Sequence, residues 1–494
     1  MVRVLGRRRS RGLVAELERA EDPLVVLGGT LCAEGHGPVI GWTADGYPVV
    51  VSSRTSSLIL GRSGSGKTRG VLTGAIWSWP GPVIATTTKP DLPHSCAAVR
   101  ARHGRVAVFA PAGVQAVPPG CVELRWSPLA SAGEYARADQ IARQMTGAAV
   151  GGRDETAQHF ADRAADALGA MLHAAVLGGV GMSHVVAWVD RQDFKTPAGY
   201  LKRAEVPRDV LAGVADLEAR ERGGVMGTAT RAIRAWRFSG ARRASSVPVE
   251  GEPARWLDAA EFAASEADTI LIVCPSEDAD QIAPLVVGLL EDLRRSIYKH
   301  SDRIVAAARG EGDLSVERRE PPVLAALDEL CNIAPWPALP SVLTEGGGRG
   351  LIVCGVLQDL SQARERWGHQ GASLPGLAGD LVALEGIRDP HTLQLLSTIL
   401  GEVWEPVSTV SDSTSVTYTG GGLALGMASG RGRQRGRSIT PQRMPAVSPG
   451  EIAQIAPGSA LVIQRGVSWG RIELANWDQH PAWQAIADHV RRAA

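Results

Sequence analysis

Eight consecutive residues, Gly61-Arg62-Ser63-Gly64-Ser65-Gly66-Lys67-Thr68, have the composition and spacing of a phosphate-binding loop for a purine nucleoside triphosphate and Mg²⁺. In such a loop Gly64 and Gly66 let the backbone approach closely, so that successive N–H groups point at the α and β phosphates at a helix N-terminus. Lys67 then reaches the β and γ oxygens, and the Thr68 hydroxyl ligates Mg²⁺. The loop needs a strand before it and a helix after it. Leu58-Ile59-Leu60 and the run from Lys67 to about Trp79 supply both.

A second element is the acidic pair Asp328-Glu329, which closes the apolar run Val323 to Leu327. Asp328 is placed to hold Mg²⁺ through water, and Glu329 to orient and deprotonate an attacking water. Taken alone the pair reads equally as a helix N-cap. A third element is Gln358, at the end of the apolar run Leu351 to Leu357, where it can sense a γ phosphate. Arg349, at the entry to that run, is a candidate for an arginine supplied to a neighbouring subunit's transition state. It reads equally as a solvated loop residue in Gly346-Gly347-Gly348-Arg349-Gly350, and Arg364 and Arg366 are rival candidates. His94 and Cys96 are too isolated to hold a metal, while His159 and His173 read as packing or capping residues. Five arginines, Arg431, Arg433, Arg435, Arg437 and Arg443, either touch phosphate backbones or decorate a solvated loop.

The elements that must position these residues are legible in outline. Val39–Trp42 and Pro48–Val51 read as short strands, and the apolar runs bounded by Gly and Pro at Val83–Thr86 and Val106–Phe109, continued at Thr269–Cys274 and Leu381–Leu384, read as buried parallel strands. Between about Gly133 and Arg243 the β-branched runs give way to helical periodicity, with helices expected over Tyr135–Met145, Phe160–Val176 and Val210–Arg222. An amphipathic helix is expected from Ala283 to Tyr298, and an exposed polar connector from Ser301 to Glu320. Ala167 to Val189 carries no Asp, Glu, Lys or Arg, but its histidines, glycines and alanines read as buried helices rather than a membrane span.

Length and composition set the bounds. The 494 residues are 44% hydrophobic, enough for several packed domains. Lys plus Arg and Asp plus Glu are equal at 52 each, so any nucleic-acid contact must come from a local concentration of charge. The six cysteines form no C-x-x-C pair, which points to reduced, buried thiols and a reducing compartment. No apolar core of signal-peptide length follows the basic N-terminus.

Motif order adds a resemblance. After the loop come Ala85-Thr86-Thr87-Thr88-Lys89-Pro90-Asp91-Leu92 and Arg125-Trp126-Ser127-Pro128-Leu129. Then come Leu327 to Pro335, Leu339-Pro340, Gly348-Arg349-Gly350, Leu357-Gln358, Ser361-Gln362 and Arg366-Trp367-Gly368. In this order the chain resembles the type IV secretion coupling proteins, the TraG/TraD-type conjugative DNA-transfer ATPases in their actinobacterial form, over about residues 39 to 480. The later run looks like their TraM-recognition region. Two departures stand out: position 359 is Asp where Ser is frequent, and the transmembrane helices with which many members begin are not seen here.

The resemblance implies an α/β fold: a RecA-like P-loop NTPase core with a parallel sheet and an inserted all-α domain. The expected division is a basic tail and strand-rich lead at 1–50, the first part of the core at 51–130, the helical insertion at 131–250 and the second part of the core at 251–407. A flexible Gly/Ser/Arg-rich loop is expected at 408–443 and a closing segment at 444–494. ATP and Mg²⁺ are the implied cofactors. Single- or double-stranded DNA, relaxase or relaxosome proteins, secretion-channel components and a homo-hexameric ring are the implied partners. The expected place is the cytoplasm or the inner face of the cell membrane. Two other readings stand beside this one: a soluble ring ATPase acting on intracellular DNA, and an ATP-binding docking platform without translocation.

Overall fold

The computed structural model describes residues 13–33, 35–113, 117–152, 155–311, 321–417, 430–464 and 468–493. The basic residues Arg3 to Arg11 lie outside them. The lead before the loop is not only strands, because two helices, Leu13–Arg19 and Pro23–Ala33, precede the first strand. Leu13, Leu17, Leu24, Leu27 and Leu31 are buried, and this leucine spacing gives each helix one face to lay on the core.

β1 (His36–Trp42) and β2 (Pro48–Ser52) form a hairpin, and β3 (Ser57–Leu60) leads into the glycine loop. β4 (Val83–Thr87), β5 (Val106–Phe109) and β6 (Val122–Arg125) follow. After a helical segment come β7 (Ala254–Trp256), β8 (Thr269–Val273), β9 (Val323–Leu327), β10 (Leu351–Leu357) and β11 (Asp380–Leu384). β12 (Glu402–Thr417) and β13 (Gly430–Pro445) pair with each other alone, and β14 (Ser459–Gln464) and β15 (Ser468–Glu473) return to the main sheet. That sheet has 13 strands in the order β2-β1-β15-β14-β11-β3-β10-β9-β4-β8-β5-β6-β7. Every pairing from β11 to β7 is parallel, and the pairings from β11 to β2 are antiparallel.

The near-continuous apolar strands follow from burial on both faces, with alternate residues serving different layers. Leu58, Leu60, Ala325, Leu327, Val353 and Leu357 belong to one core, beneath the helical segment and Ala279–Ala308. Ile59, Leu324, Ala326, Ile352, Cys354 and Val356 belong to the other, beneath the N-terminal and C-terminal helices. Arg100, fully buried, ties the second layer to the sheet. It donates to Thr269 Oγ1 at 2.9 Å, to the carbonyls of Gly81 at 2.7 Å and Ala267 at 3.0 Å, and to that of Trp79. Its desolvation pushes the guanidinium down to about 10.

Between β6 and β7 the chain runs through helices including Tyr135–Val150, Glu155–Leu177, Met182–Arg191, Glu205–Ala215 and Ala219–Ala232. The charge-free stretch Ala167 to Val189 lies within two of these, and among the described residues no helix is long and apolar enough to cross a membrane. The helix expected over Val210–Arg222 is instead two. Glu218 is extended, and Arg222 donates to the carbonyls of Ala215 at 2.9 Å and Leu217 at 2.7 Å, closing the end of the first helix.

The Arg125–Leu129 motif is the joint between this segment and the sheet. Asp292, 2% exposed on the 30-residue helix Ala279–Ala308, accepts from Trp126 Nε1 at 3.0 Å, Ser131 Oγ at 2.6 Å and Arg137 Nη2 at 2.9 Å. That helix also absorbs the start of the expected connector, running on through Ala308; residues 312–320 lie outside the described ones. The expected loop at 408–443 differs too. Its ends are strands in a regular antiparallel ladder, from Glu402 opposite Pro445 to Thr417 opposite Gly430, while 418–429 lie outside the described residues. Ser, Thr and Gly composition suggested a loop, but Val403, Val407, Thr409 and Val410 carry enough β-branching to pair once a partner strand is supplied.

Asp292→Ala is expected to cost about 3 kcal/mol, because it leaves a guanidinium, an indole N–H and a hydroxyl without their shared acceptor. A denaturant melt unchanged from the parent protein would refute this joint. Near the C-terminus, His480 stacks on Trp42 with ring centroids 4.5 Å apart, and desolvation pushes its imidazole down to about 4. The folded state therefore keeps it neutral where the unfolded chain, with its ordinary value near 6.5, begins to protonate. Its stabilising contribution is complete above that value and is lost as pH falls towards about 4. Thermal melts across this window should fall less steeply for His480→Gln than for the parent.

Candidate nucleotide site

The glycine loop leaves β3 at Gly61 and enters a helix that begins at Lys67, with a π turn over Lys67–Leu72 before regular α geometry at Thr73–Ser78. Gly64 and Gly66 sit at φ +83° and +88°, so the loop takes a left-handed path that side chains with a Cβ resist. The Lys67 ammonium donates to the carbonyls of Gly61 and Arg62, the latter at 2.8 Å. Burial lowers its pKa, while Glu329 and Asp328 act in the opposite direction. Ser65 Oγ is buried in the loop without a hydrogen-bond partner.

β9 delivers the acid pair to the same end of the sheet. Thr68 Oγ1 donates to Asp328 Oδ2 at 2.7 Å. Asp328 is 5% exposed; desolvation raises its pKa, opposed chiefly by the Thr68 hydrogen bond. Thr86, on β4, donates to the Asp328 carbonyl at 2.9 Å and fixes the strand end. Glu329 is one of two non-glycine residues with positive φ among the described residues, at +50°. That conformation aims the carboxylate out of the strand line, and such strain persists where the surroundings over-determine it. Here Asn332 Nδ2 donates to Glu329 Oε2 at 3.0 Å, and Gln358 Nε2 stands 3.5 Å from the same oxygen.

A cavity of about 860 Å³ opens over these groups, within the range of small-molecule sites. Its near wall is Ser63 to Arg69 with Asp328 and Glu329, and its far wall includes His94, Leu474, Asn476 and Trp477. Apart from His94, on the helix Asp91–Arg100, these far-wall residues come from the C-terminal segment, which closes directly on the loop helix. A Cβ on Gly70 would lie 3.1 Å from Leu474, Trp477 N donates to the Arg69 carbonyl at 3.3 Å, and Arg69 pairs with Asp478.

Of the residues singled out from sequence, Gly61 to Thr68, Asp328, Glu329 and Gln358 come together. Arg349 does not join them. It precedes β10, at the opposite end of strands that run parallel to β3, where its guanidinium lies 4.2 Å from the Tyr298 ring centroid and 2.8 Å from Asp302. The turn packs so closely that a Cβ on Gly347 would fall 1.8 Å from the Arg54 carbonyl oxygen. Arg364 and Arg366 follow Gln358 on the helix Leu360–Trp367, at the nucleotide end. Arg366 pairs with Asp280 at 3.2 Å, and Arg364 has Nε and Nη2 buried without hydrogen-bond partners. Asp359 caps that helix by accepting from Ser361 N at 3.0 Å and Gln362 N at 3.1 Å, a role for which its carboxylate serves as a serine would.

Sequence reasoning did not assign Thr86, Asn332 or the C-terminal wall. Asn332 is three residues from Glu329, one helical turn, and that spacing was a usable signal. The wall carried none, because its residues are ordinary apolar and amide side chains placed by sheet order.

A phosphate loop, a threonine paired with a buried aspartate two strands away and a parallel sheet define the fold of a P-loop NTPase, with a RecA-like core and a helical insertion. Residues 322–457 match the family model described as the TraM recognition site of TraD and TraG. No protein of curated function matches the chain. Among solved structures the chain is similar to the bacterial conjugative coupling protein TrwBdeltaN70 in its unbound monoclinic form. The TM-score is 0.61 and the identity 18%, over 92% of this chain and 93% of that one. It is similar also to the plasmid coupling protein TrwB in complex with ADP and Mg²⁺, with TM-score 0.59 and identity 18% over 92% and 94% of the two chains. TrwB with the non-hydrolysable GTP analogue GDPNP gives 0.60 and 17% over the same shares. The resemblance read from the motifs therefore holds at two levels, the family match over the TraM-recognition region and the fold over nearly the whole chain.

If φ at Glu329 is strained as described, Glu329→Gly should be more stable than Glu329→Ala by about 1 kcal/mol, since only glycine enters this region freely. Equal melting of the two variants would contradict the strain.

Proposed function

We propose that the chain is an ATP-hydrolysing DNA translocase that couples a relaxase–DNA substrate to a type IV secretion channel. The observation that carries the reading is the convergence of Lys67, Thr68, Asp328 and Glu329 on one cavity, with Gln358 beside Glu329, in a fold shared with TrwB. ATP and Mg²⁺ are its cofactors. The residues fit them: a left-handed glycine loop, an unpartnered buried hydroxyl at Ser65, and a hydroxyl–carboxylate pair of the kind that shares a hard cation.

Gly61 to Lys67 hold the phosphates, and Thr68 and Asp328 hold Mg²⁺, which when bound neutralises charge on the phosphate oxygens. Glu329, held by Asn332, orients a water and takes its proton. Gln358 links that carboxylate to Gln362 on the helix Leu360–Trp367, so a change at the phosphate end is passed to that helix. We assign the 51–130 and 251–407 segments to the motor, 131–250 to substrate reception and 444–494 to closure of the cleft. The active form is a homo-hexameric ring at the inner face of the cell membrane, meeting DNA, the relaxosome and the channel. The arginine donated across a subunit boundary is assigned to Arg364 or Arg366 ahead of Arg349, whose contacts with Asp302 and Tyr298 give it a holding role within its own chain.

Glu329→Gln is expected to lower ATP hydrolysis stimulated by single-stranded DNA by roughly 10²- to 10⁴-fold while nucleotide still binds. Titration of a fluorescent ATP analogue alongside a phosphate-release assay measures both. Hydrolysis at the parent rate would remove Glu329 from its role.

A further inference from the structure

Four lysine and arginine side chains line the nucleotide cavity: Lys67, Arg69, Lys89 and Arg491. Three of them are engaged by the chain itself. Lys67 donates to the carbonyls of Gly61 and Arg62, Arg69 pairs with Asp478, and Arg491 pairs with Asp488 at 2.8 Å. The Lys89 ammonium has no hydrogen-bond or ion-pair partner among the described residues, although Asp91, Asp328 and Glu329 line the same cavity. Lys89 is exposed, so its long side chain can swing over the cleft.

Strand order brings Lys89 to this place. β4 pairs in parallel with β9, with Thr86 opposite Leu327, so the residues that leave β4 emerge beside Asp328 and Glu329. In the order β3-β10-β9-β4 the glycine loop and Lys89 flank the acid pair from its two sides. Local contacts then fix the backbone. Thr87 Oγ1 accepts from the Lys89 N–H at 3.1 Å, and the helix Asp91–Arg100 begins two residues later. Lys67 feels the charge: burial is the main cause of its lowered pKa, Glu329 and Asp328 oppose it, and Lys89 adds to the lowering. Two cations that repel across an open cleft are both relieved by an anion placed between them.

We propose that Lys89 contacts the γ phosphate of a bound nucleoside triphosphate from the side opposite Lys67, and stabilises the charge on its oxygens during hydrolysis. In that step a water oxygen bonds to the γ phosphorus, Glu329 takes the proton, and the bridging oxygen leaves with the diphosphate; Lys89 exchanges no atom. An ammonium on a flexible stem, with three donors, suits oxygens whose positions shift as the bond breaks. The contact is made by the chain that carries the glycine loop, so it needs no neighbouring subunit. The proposal rests on the reading of the chain as an ATPase and adds a residue to that site.

The test titrates the full chain, in Mg²⁺, with fluorescent ADP and with a fluorescent non-hydrolysable ATP analogue. The proteins are the parent, Lys89→Met, Lys89→Arg and a control, Arg19→Gln, which removes one exposed charge from an N-terminal helix; thermal melts report folding of each. The parent should bind the analogue more tightly than ADP. Lys89→Met should weaken the analogue roughly tenfold and leave ADP unchanged, because ADP lacks the group that is contacted. Phosphate release by Lys89→Met at saturating ATP should fall by roughly 10²-fold. Lys89→Arg, which keeps the charge, should retain most of the preference for the analogue, and the control should match the parent. Equal weakening of ADP and analogue in Lys89→Met would overturn the γ-phosphate contact. Analogue binding and phosphate release both at parent values would overturn it as well, leaving the ATPase reading intact. Failure of the parent to bind either nucleotide would overturn that reading itself.

Discussion

The hydrogen bond from Thr68 to Asp328 brings together the ends of two strands that are not neighbours. β10 lies between β3 and β9, pairing Leu357 with Leu60 on one side and Gly355 with Leu327 on the other. That double register sets the two strand ends side by side, and a slip of one residue would turn every alternate side chain to the opposite core. The apolar strands that look like simple core material therefore set the distance between Thr68 and Asp328. Burial of Asp328 follows from the same packing. Its carboxylate is desolvated there and accepts from the Thr68 hydroxyl and the Glu329 N–H.

Around that contact the structure spends order where the chemistry needs direction. Glu329 adopts a left-handed backbone and is kept there by Asn332 and by the packing of Leu330, Cys331 and Ile333 beneath it. The cleft is completed from afar. β14 and β15 carry the chain back along β11, so that Leu474, Asn476 and Trp477 face a loop some 400 positions earlier. The helical segment is joined by equally specific means: Asp292 gathers three donors, and Gln144 accepts the Ala338 N–H at 3.0 Å. Ala338 lies within the region that matches the TraM-recognition model, where Trp367 Nε1 also donates to the Trp336 carbonyl at 2.7 Å.

The two ends of the parallel strands carry different chemistry. At their carboxyl ends, loops with freed N–H groups and acids form the nucleotide cleft, as open α/β sheets place their ligands. At the amino ends, Arg349 is engaged by Asp302 and Tyr298 beside a tightly packed glycine turn. Arginine content alone says little about role: Arg349 is held within its chain by Asp302, and Arg100 is buried as a structural tie.

The sequence by itself determined what local chemistry can encode. The glycine loop with its strand and helix, the acid pair after an apolar run, the glutamine ending the next strand and the helical character of the middle of the chain are short-range patterns, because they rest on backbone freedom, side-chain type and periodicity. Tertiary structure decided which of these meet. Gln358 reaches Glu329 and Arg349 does not, because both flank one strand and stand at its opposite ends. The segment expected as a loop became a ribbon because a ladder needs a partner strand, which composition does not reveal. The far wall of the cleft was illegible for the same reason: Leu474 and Trp477 become part of the site only through the strand order that returns the chain to its beginning.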